Sequence, residues 1–360
     1  MPFGQHARIL ATLHEAEELA EALGDHRRLG QVCVSLSYHC CANGAYDDAK
    51  AAARRALALA TRDGEGALQA LANQYVGLAH QAQGDFRRAI ECFAQTAAFF
   101  DGSRRYERFG RVILPAVSVR ADLAACHAEL GTFAEGRAIA GDAVEIAEAV
   151  GHHTSLMMAY RALGLLLLRQ GDTGALILLE RAVTICEDAE LPVYFPWMAA
   201  TLGAAYTLAG RADDAVPLLT RAMQQTTTTE RDALSRLGLA EAQLLAGRLE
   251  KAAPLAERTL ALATEHDERA NQGYALRLLA EIAAQRQPPE WEEALARYRQ
   301  ALALSSDIGM RPLAAHCHLG LSRVYRRLDR SADAEMHRTT AITMYREMNM
   351  RLWLERSEER

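Results

Sequence analysis

Residues that could bind an anion are concentrated in one stretch of the sequence that repeats nowhere else. Residues 101–110 interleave three arginines with two aromatic side chains: Arg104, Arg105, Tyr106, Arg108 and Phe109. A guanidinium offers a planar fork of donors to a carboxylate or phosphate, and it also stacks on aromatic rings. We therefore predict that the three arginines and Phe109 clamp an anionic ligand. The alternative is an exposed loop whose charges are simply solvated.

A second set of candidates combines aromatic and polar side chains on the first helices of successive repeats, whose spacing is described below. Trp197 projects onto the concave side of its helix, and comparable positions elsewhere carry Tyr, Gln, Arg and Glu. A groove of this chemistry suits an extended peptide or a small polar ligand. The alternative is that Tyr194 and Trp197 fill a wide junction between repeats. The predicted set is Tyr38, Gln74, Gln81, Arg161, Tyr194, Trp197, Glu241, Tyr274, Arg277 and Glu281.

Metal binding and catalysis are not predicted. Histidines and cysteines cluster at residues 39–41, 152–153 and 316–318. On a helix, adjacent side chains point about 100° apart and alternate ones about 200° apart, so none of these clusters converges on one ion. The sequence contains no strained nucleophile turn of the GxSxG type. We expect no metal, no cofactor and no enzymatic activity.

Composition narrows the compartment and the partners. A formal charge of −6 argues against nucleic acid as the main partner, because phosphate neutralisation needs clustered Lys and Arg. Seven cysteines, an odd number with no CxxC pair, predict free thiols in a reducing cytoplasm. No apolar run approaches the roughly 18 residues of a membrane span, and the N-terminus lacks the regions of a signal peptide.

The elements that must position these residues form an internal repeat. Turn glycines recur at intervals of 37 to 47 residues, and two further turns without glycine fall near Pro289 and Asp329. The glycines are Gly44, Gly84, Gly131, Gly171, Gly210 and Gly247. The pattern predicts about eight helix–turn–helix units with a mean period of about 41 residues. The predicted fold class is all-α, a right-handed α-α superhelix of tetratricopeptide (TPR) type.

Small residues at fixed offsets explain how the two helices of a unit approach each other. Gly or Ala lies seven positions before the turn glycine, as at Gly203, and Ala lies five after it, as at Ala215. Small residues at a crossing permit helices to pack at about 8–10 Å. Pro217 and Pro254 fall at matching positions of two units, and we expect both in the first turn of the second helix, where the missing N–H is not needed.

The same frame predicts one solenoid over residues 1–360. Residues 5–23 form an amphipathic helix that we interpret as the second helix of a repeat whose first helix is missing, so the chain is expected to start mid-array. Repeats occupy about 28–342. Residues 343–360 are predicted as a closing helix with a charged tail.

Less repetitive phrases carry a family resemblance. They are "LHEAEELAEALGDHRRLGQV", "RYERFGRVILPAVSVRADLAACHAELGTFAEG", "LPVYFPWMAATLGAAYTLAGR" and "TMYREMNMRLWLERSE". Together they resemble the C-terminal TPR region of bacterial multidomain proteins that join a class III adenylate/guanylate cyclase to an AAA/STAND ATPase. The resemblance implies a regulatory module for an upstream cyclase or ATPase domain. It transfers no activity, since no GxxxxGK[ST] motif is present.

The sequence therefore predicts a cytoplasmic interaction or sensing module that binds a peptide, a protein or a small effector on its concave surface. The alternative is a constitutive scaffold or self-assembling repeat protein without an effector ligand. Neither nucleic acid nor membrane is an expected partner, and the oligomeric state stays open.

Overall fold

A computed structural model describes residues 2–225 and 229–358, and this part of the chain folds into α-helices, one 3₁₀ helix and turns, without strands. The first ten helices are α1 (Pro2–Ala22), α2 (His26–Ala42), α3 (Tyr46–Arg62), α4 (Gly66–Ala82), α5 (Phe86–Phe99), α6 (Pro115–Leu130), α7 (Phe133–Val150), α8 (His153–Gln170), α9 (Ala175–Asp188) and α10 (Phe195–Leu208). The others are α11 (Ala212–Gln225), α12 (Thr229–Leu245), α13 (Leu249–Glu265), α14 (Arg269–Gln285), α15 (Trp291–Asp307), α16 (Arg311–Arg327), α17 (Ser331–Glu347) and α18 (Arg351–Glu358). The 3₁₀ helix is Gly102–Tyr106.

The predicted fold class is confirmed: helices α2 to α17 form eight hairpins of adjacent helices, α2 with α3 through α16 with α17. We call the first helix of each hairpin the A helix and the second the B helix. Neighbouring A helices also pack on each other, as α6 does on α8 and α10 on α12. The A helices therefore form an inner layer of the superhelix.

The small residues at the helix crossings are required by close approach. A β-carbon added at Gly203 would lie 2.4 Å from Leu219 Cγ, and one at Gly164 would lie 2.6 Å from Leu179 Cγ. Both glycines lie seven residues before a turn glycine, and both leucines belong to the B helix of the same hairpin. Ala215, five residues after its turn glycine, is fully buried. The repeat is therefore set by steric fit between the two helices.

The two predicted turns without glycine are made differently. At the last hairpin, Asp329 itself takes the left-handed conformation (φ 58°) that glycine adopts in other repeats. Asp tolerates this region better than most residues because its short side chain can bond to the local backbone. The other turn spans residues 286–290, between α14 and α15.

The superhelix closes on itself after about five repeats. Turns that join the A and B helices of early repeats lie against later parts of the chain: a β-carbon at Gly44 would lie 2.6 Å from His266 Nδ1, in the turn before α14, and one at Gly171 would lie 2.8 Å from Trp353 Nε1, in α18. Tyr46, at the start of α3, donates a 2.7 Å hydrogen bond to Glu268, 222 residues further along. Helix α12 also packs on α2, and α16 on α6. One superhelical turn thus surrounds a central space.

Both ends of the chain extend this array. Helix α1 packs on α2 and buries Ala20, whereas Leu19 and Leu23 stay exposed. At the other end, residues 343–347 complete α17, and Asn349 (φ 53°) lies in a turn before α18. The closing segment is thus two helices rather than one, because this turn reverses the chain as at the other junctions. Across the described residues, no helix is both long and apolar enough to cross a bilayer.

Candidate ligand-binding cavity

A cavity of about 570 Å³ lies inside the superhelical turn. Most of its wall is formed by the seven A helices α2, α4, α6, α8, α10, α12 and α14. Glu268 and the loop residues 110–113 also contribute to it. A volume in the range of about 300–1,000 Å³ is typical of pockets that enclose small ligands. We call this space the central cavity.

Three adjacent A helices present polar side chains to the central cavity at two levels. Two helical turns separate the levels, so the side chains share a face and lie about 10–12 Å apart along each helix. The pairs are Gln74 and Gln81 on α4, Asp122 and Glu129 on α6, and Arg161 and Arg169 on α8.

The first level combines a stacked arginine with an amide–carboxylate pair. The Arg161 guanidinium lies 3.7 Å from the centre of the Trp197 ring. Gln74 Nε2 donates hydrogen bonds to Asp122 Oδ2 (2.7 Å) and to Ser118 Oγ (3.1 Å). A guanidinium stacked on an indole face, beside an amide and a carboxylate, gives this level the chemistry to recognise a polar ligand.

The second level is an ion pair held between two repeats. Arg169 Nε lies 2.9 Å from Glu129 Oε1, and the Arg169 guanidinium lies 4.3 Å from the centre of the Tyr274 ring. Tyr274 also donates a hydrogen bond to Glu129. Burial raises the pKa of Tyr274 well above its ordinary value, so its hydroxyl stays protonated as a donor.

An ionic layer lies next to this level. Arg277 donates to Glu241 (2.7 Å) and to Glu281, which is one helical turn away on the same helix. Glu241 lines the central cavity, whereas Arg277 and Glu281 do not. Burial raises the pKa of Glu241, and the charge of Arg277 opposes that shift. Arg277 and Glu281, two members of the predicted concave set, therefore support the wall and do not face the central cavity.

The other predicted concave residues face the central cavity. Tyr38, Tyr194 and Trp197 line it together with the residues of the two levels. The Tyr38 ring lies 5.8 Å from that of Tyr75, on the next A helix. Tyr194 and Trp197 also pack against Met157 and Met158 in the clusters between repeats. Tyr194 and Trp197 therefore fill the junction between repeats and also line the cavity. Each of the two interpretations of these residues describes part of their environment.

The predicted arginine loop lies outside the central cavity. Arg104 stacks on Phe99 (4.6 Å), Arg105 pairs with Asp142 (2.9 Å), and Arg108 Nε donates to the Arg111 carbonyl (3.1 Å). The Phe109 ring lies 5.3 Å from that of Phe100 in a buried cluster. These contacts hold the loop against the B helices α5 and α7. The residues that reach the cavity follow directly, at 110–113.

Five charged lining residues escaped the sequence analysis: Arg111 and Glu268, and Asp122, Glu129 and Arg169 of the two levels. Arg111 lies just past the predicted segment, and its guanidinium bonds to the Tyr75 hydroxyl and lies 5.9 Å from the centre of that ring. Glu268 lies in the turn before α14 and reaches the cavity through the closure of the superhelix. Of Arg111 and Glu268, only Arg111 had a local signal in the sequence, since the arginine-rich segment extends to it.

The histidine and cysteine clusters point apart. His316 Nδ1 is 2.8 Å from the Tyr345 hydroxyl, whereas His318 Nδ1 is 2.8 Å from His337 Nδ1 on the neighbouring helix. Within residues 2–225 and 229–358, no group of three or more His, Cys, Asp or Glu side chains is placed to hold a metal ion. All seven cysteines are free thiols, and burial raises the pKa of Cys126 well above its ordinary value.

The fold resembles solved structures of repeat proteins. A Rap protein in complex with competence and sporulation factor has a TM-score of 0.65 at 11% identity, covering 96% of this chain and 99% of Rap. A Rap conjugation gene regulator of plasmid pLS20, bound to the Phr* peptide, has a TM-score of 0.62 at 12% identity, with 96% of each chain covered.

A signal transduction ATPase with numerous domains (STAND) that carries a tetratricopeptide repeat sensor, from Pyrococcus horikoshii, has a TM-score of 0.52 at 14% identity. The similarity covers 98% of this chain and 54% of that protein. At these identities the likeness shows a shared fold, a superhelix of TPR type. No family model matches the sequence, and no curated protein matches it either.

Proposed function

We propose that the protein is a non-catalytic regulatory module that holds an extended peptide or a small polar ligand in the central cavity. The observation that carries the proposal is the cavity itself: a closed turn of A helices surrounds it, and its wall alternates aromatic rings with hydrogen-bonding side chains. Such a wall buries an apolar surface while fixing the orientation of a polar one. The proposed contact residues are Tyr38, Gln74, Gln81, Arg161, Tyr194 and Trp197.

The structural relatives support this choice of ligand. The two Rap proteins are described as complexes, one with competence and sporulation factor and one with the Phr* peptide, and both share the fold along almost their whole length. The quorum sensor NprR of B. thuringiensis has the same architecture, with a TM-score of 0.55 at 13% identity. A peptide extended along the A helices would satisfy its backbone groups with side chains such as Gln74 and Gln81.

Regulation would follow from a change in the closure of the superhelix. A ligand that contacts helices from both early and late repeats favours the closed state, because it binds that state more tightly. The response would pass to an attached or separate effector. The resemblance to cyclase–ATPase proteins, and the fold shared with a STAND sensor, support an upstream cyclase or ATPase domain as that effector.

The remaining candidates have supporting roles in this proposal. Arg104, Arg105, Arg108 and Phe109 would hold the loop so that residues 110–113 stay at the cavity. Arg277 and Glu281 would hold Glu241 in the wall. Their substitution is expected to change ligand affinity indirectly, through the position of residues that line the cavity.

A cavity-filling variant tests the proposal. Ala125 lines the central cavity, so Ala125→Trp places an indole there, whereas Ala58→Trp adds the same group to the exposed surface of α3. We expect affinity selection from a peptide mixture, read by mass spectrometry, to enrich peptides on the wild type and on Ala58→Trp, and not on Ala125→Trp. Equal enrichment on all three proteins would place binding elsewhere. No enrichment, together with a stable dimer in sizing chromatography, would favour a scaffold.

A further inference from the structure

Two side chains of opposite charge face the central cavity without a partner of opposite charge. Arg111 and Glu268 both line it. In the part of the chain that the structure describes, no carboxylate lies within ion-pair distance of Arg111, and no Lys, Arg or His nitrogen lies within that distance of Glu268. Other charges at the cavity are compensated, as Glu129 is by Arg169 and Glu241 by Arg277.

Arg111 is held by neutral groups. Its guanidinium bonds to the Tyr75 hydroxyl and lies over the Tyr75 ring, at 5.9 Å. A guanidinium has five N–H donors, so a contact with one hydroxyl leaves most of them available. A carboxylate that approached from the cavity could accept two parallel bonds from this fork.

Glu268 is buried and equally uncompensated. It is 2% exposed, and its two oxygens accept one hydrogen bond each, from Tyr46 Oη and from Asn271 Nδ2, both at 2.7 Å. Burial raises the pKa of Glu268, and these two donors only partly offset that shift. An ionised carboxylate has about four lone-pair sites, so an ammonium group arriving from the cavity would find unused acceptors and supply the missing charge.

The offset between Arg111 and Glu268 can be estimated from the residues of helix α4 near each of them. Arg111 bonds to Tyr75, and Tyr46, which bonds to Glu268, belongs to a hydrophobic cluster that includes Ala79 and Ala82 of α4. Four to seven residues of helix separate these contacts, about 6–10 Å along the axis. An extended peptide spans about 3.3–3.6 Å per residue. The two contact points are therefore offset along α4 by about the length of two to three residues of extended peptide.

We infer that the ligand of the central cavity is a short peptide with free termini, whose C-terminal carboxylate binds Arg111 and whose N-terminal ammonium binds Glu268. This assignment rests on the proposed function and adds a length, a polarity and a requirement for unmodified ends. It also accounts for one buried charge, Glu268, and one part-buried charge, Arg111, that the fold itself leaves uncompensated.

Peptide mixtures with modified ends test the inference. The probe is one mixture of tri- to pentapeptides prepared in four forms: free at both ends, N-acetylated, C-amidated, and modified at both ends. The full chain is used for affinity selection, and selected peptides are identified by mass spectrometry. We expect the free mixture to be retained at least tenfold better than either singly modified one, since a hydrogen-bonded charge contact contributes about ten- to a hundredfold in affinity.

Charge-removing variants assign each end. In Glu268→Gln we expect the preference for a free amine to disappear while the preference for a free carboxylate persists; Arg111→Gln should do the reverse. Glu265→Gln and Arg87→Gln remove exposed charges from α13 and α5, away from the cavity, and should change neither preference. Melting of each variant shows that it is folded, and the preference retained at the other end shows that its cavity is intact.

The outcomes separate the two proposals. Equal retention of all four mixtures would overturn the assignment of the termini and leave peptide binding in place. Discrimination at one end only would overturn the two-ended assignment. If the wild type retains no mixture, peptide binding in the central cavity fails, and the inference fails with it.

Discussion

At the scale of single residues, the interior of this superhelix is unusual for its charged side chains. Arg169, Glu129, Glu241 and Arg277 sit between helices of different repeats and are paired with each other or with Glu281. A buried ion pair adds little net stability compared with apolar residues of the same shape, but removal of one partner is costly. These residues therefore fix the geometry of the wall more than they stabilise it.

Removal of Arg277 should be strongly destabilising. Arg277→Ala leaves the carboxylates of Glu241 and Glu281 without their cation, which costs about 3–5 kcal/mol in the free energy of unfolding. Arg297→Ala removes a partner of the half-exposed Glu293 and should cost about 1 kcal/mol or less. Urea unfolding followed by circular dichroism measures both. Equal losses would mean that the buried ionic layer is not coupled to folding.

The histidine pair should make stability depend on pH. Burial, and then the neighbouring His337, lowers the pKa of His318 to about 4; burial also lowers the pKa of His337, with Asp333 opposing and Arg299 adding to that shift. Because both folded pKa values lie below the ordinary 6.5, the unfolded chain takes up protons first. The contribution of the pair is therefore complete above pH 6.5 and is lost as pH falls towards 4.

The variant His337→Phe isolates this effect. It keeps a ring against Tyr325, whose ring stacks on His337 at 5.4 Å, and removes one of the two titrating groups. Between pH 7 and 5 the melting temperature of the variant should fall less than that of the wild type. The same substitution at the exposed His153 should leave the pH dependence unchanged. A parallel fall for His337→Phe and wild type would contradict the assignment.

At the scale of the elements, the repeat depends on how close each A helix comes to its B helix. Gly203 and Gly141 both lie inside helices, but their surroundings differ. A β-carbon at Gly203 would meet Leu219 at 2.4 Å, whereas one at Gly141 would meet nothing within 4 Å. The pair separates helix propensity from packing at a crossing.

Alanine at these two positions should have opposite effects. Gly141→Ala should stabilise the protein by about 0.5–1 kcal/mol, because alanine loses less backbone entropy in a helix. Gly203→Ala should destabilise it by about 1–3 kcal/mol through overpacking against Leu219. Thermal and urea unfolding give both signs. Stabilisation by Gly203→Ala would show that the hairpin can open without cost.

At the scale of the whole molecule, closure of the superhelix decides whether a cavity exists. Turns of the early repeats lie against late parts of the chain at four places: Gly44 at His266, Gly84 at Ile308, Gly131 at Met348, and Gly171 at Trp353 of α18. A state opened at these four places would keep the contacts between neighbouring repeats. A small change at one of these contacts should therefore alter the shape of the superhelix while its helix content stays the same.

Gly171→Ala tests the closure, with Gly210→Ala as its control. Both glycines have positive φ (85° and 77°), so alanine carries a similar backbone strain of about 1–2 kcal/mol at each. A β-carbon at Gly171 also meets Trp353, whereas one at Gly210 meets nothing within 4 Å. X-ray scattering should show a larger radius of gyration for Gly171→Ala alone. Equal radii would mean that the contact with α18 does not hold the superhelix closed.

The helices, the eight hairpins and most of the positions that face inward follow from the sequence alone. These features depend on contacts between residues close in the chain, such as Gly203 against Leu219, and such contacts leave a periodic pattern of small and apolar residues. The same frame placed Tyr38, Gln74, Arg161 and Trp197 on one surface, because their offsets within the repeat are alike.

Which charges meet depends on contacts between distant parts of the chain. Glu268 reaches Tyr46 across 222 residues, and Arg111 faces the cavity while Arg104 and Arg105 next to it turn outward. Small rotations between successive repeats add up over a full superhelical turn before early and late repeats come into contact. No local pattern records that sum, so the closure, and the pair of opposite charges that it brings to one cavity, cannot be read from the repeat alone.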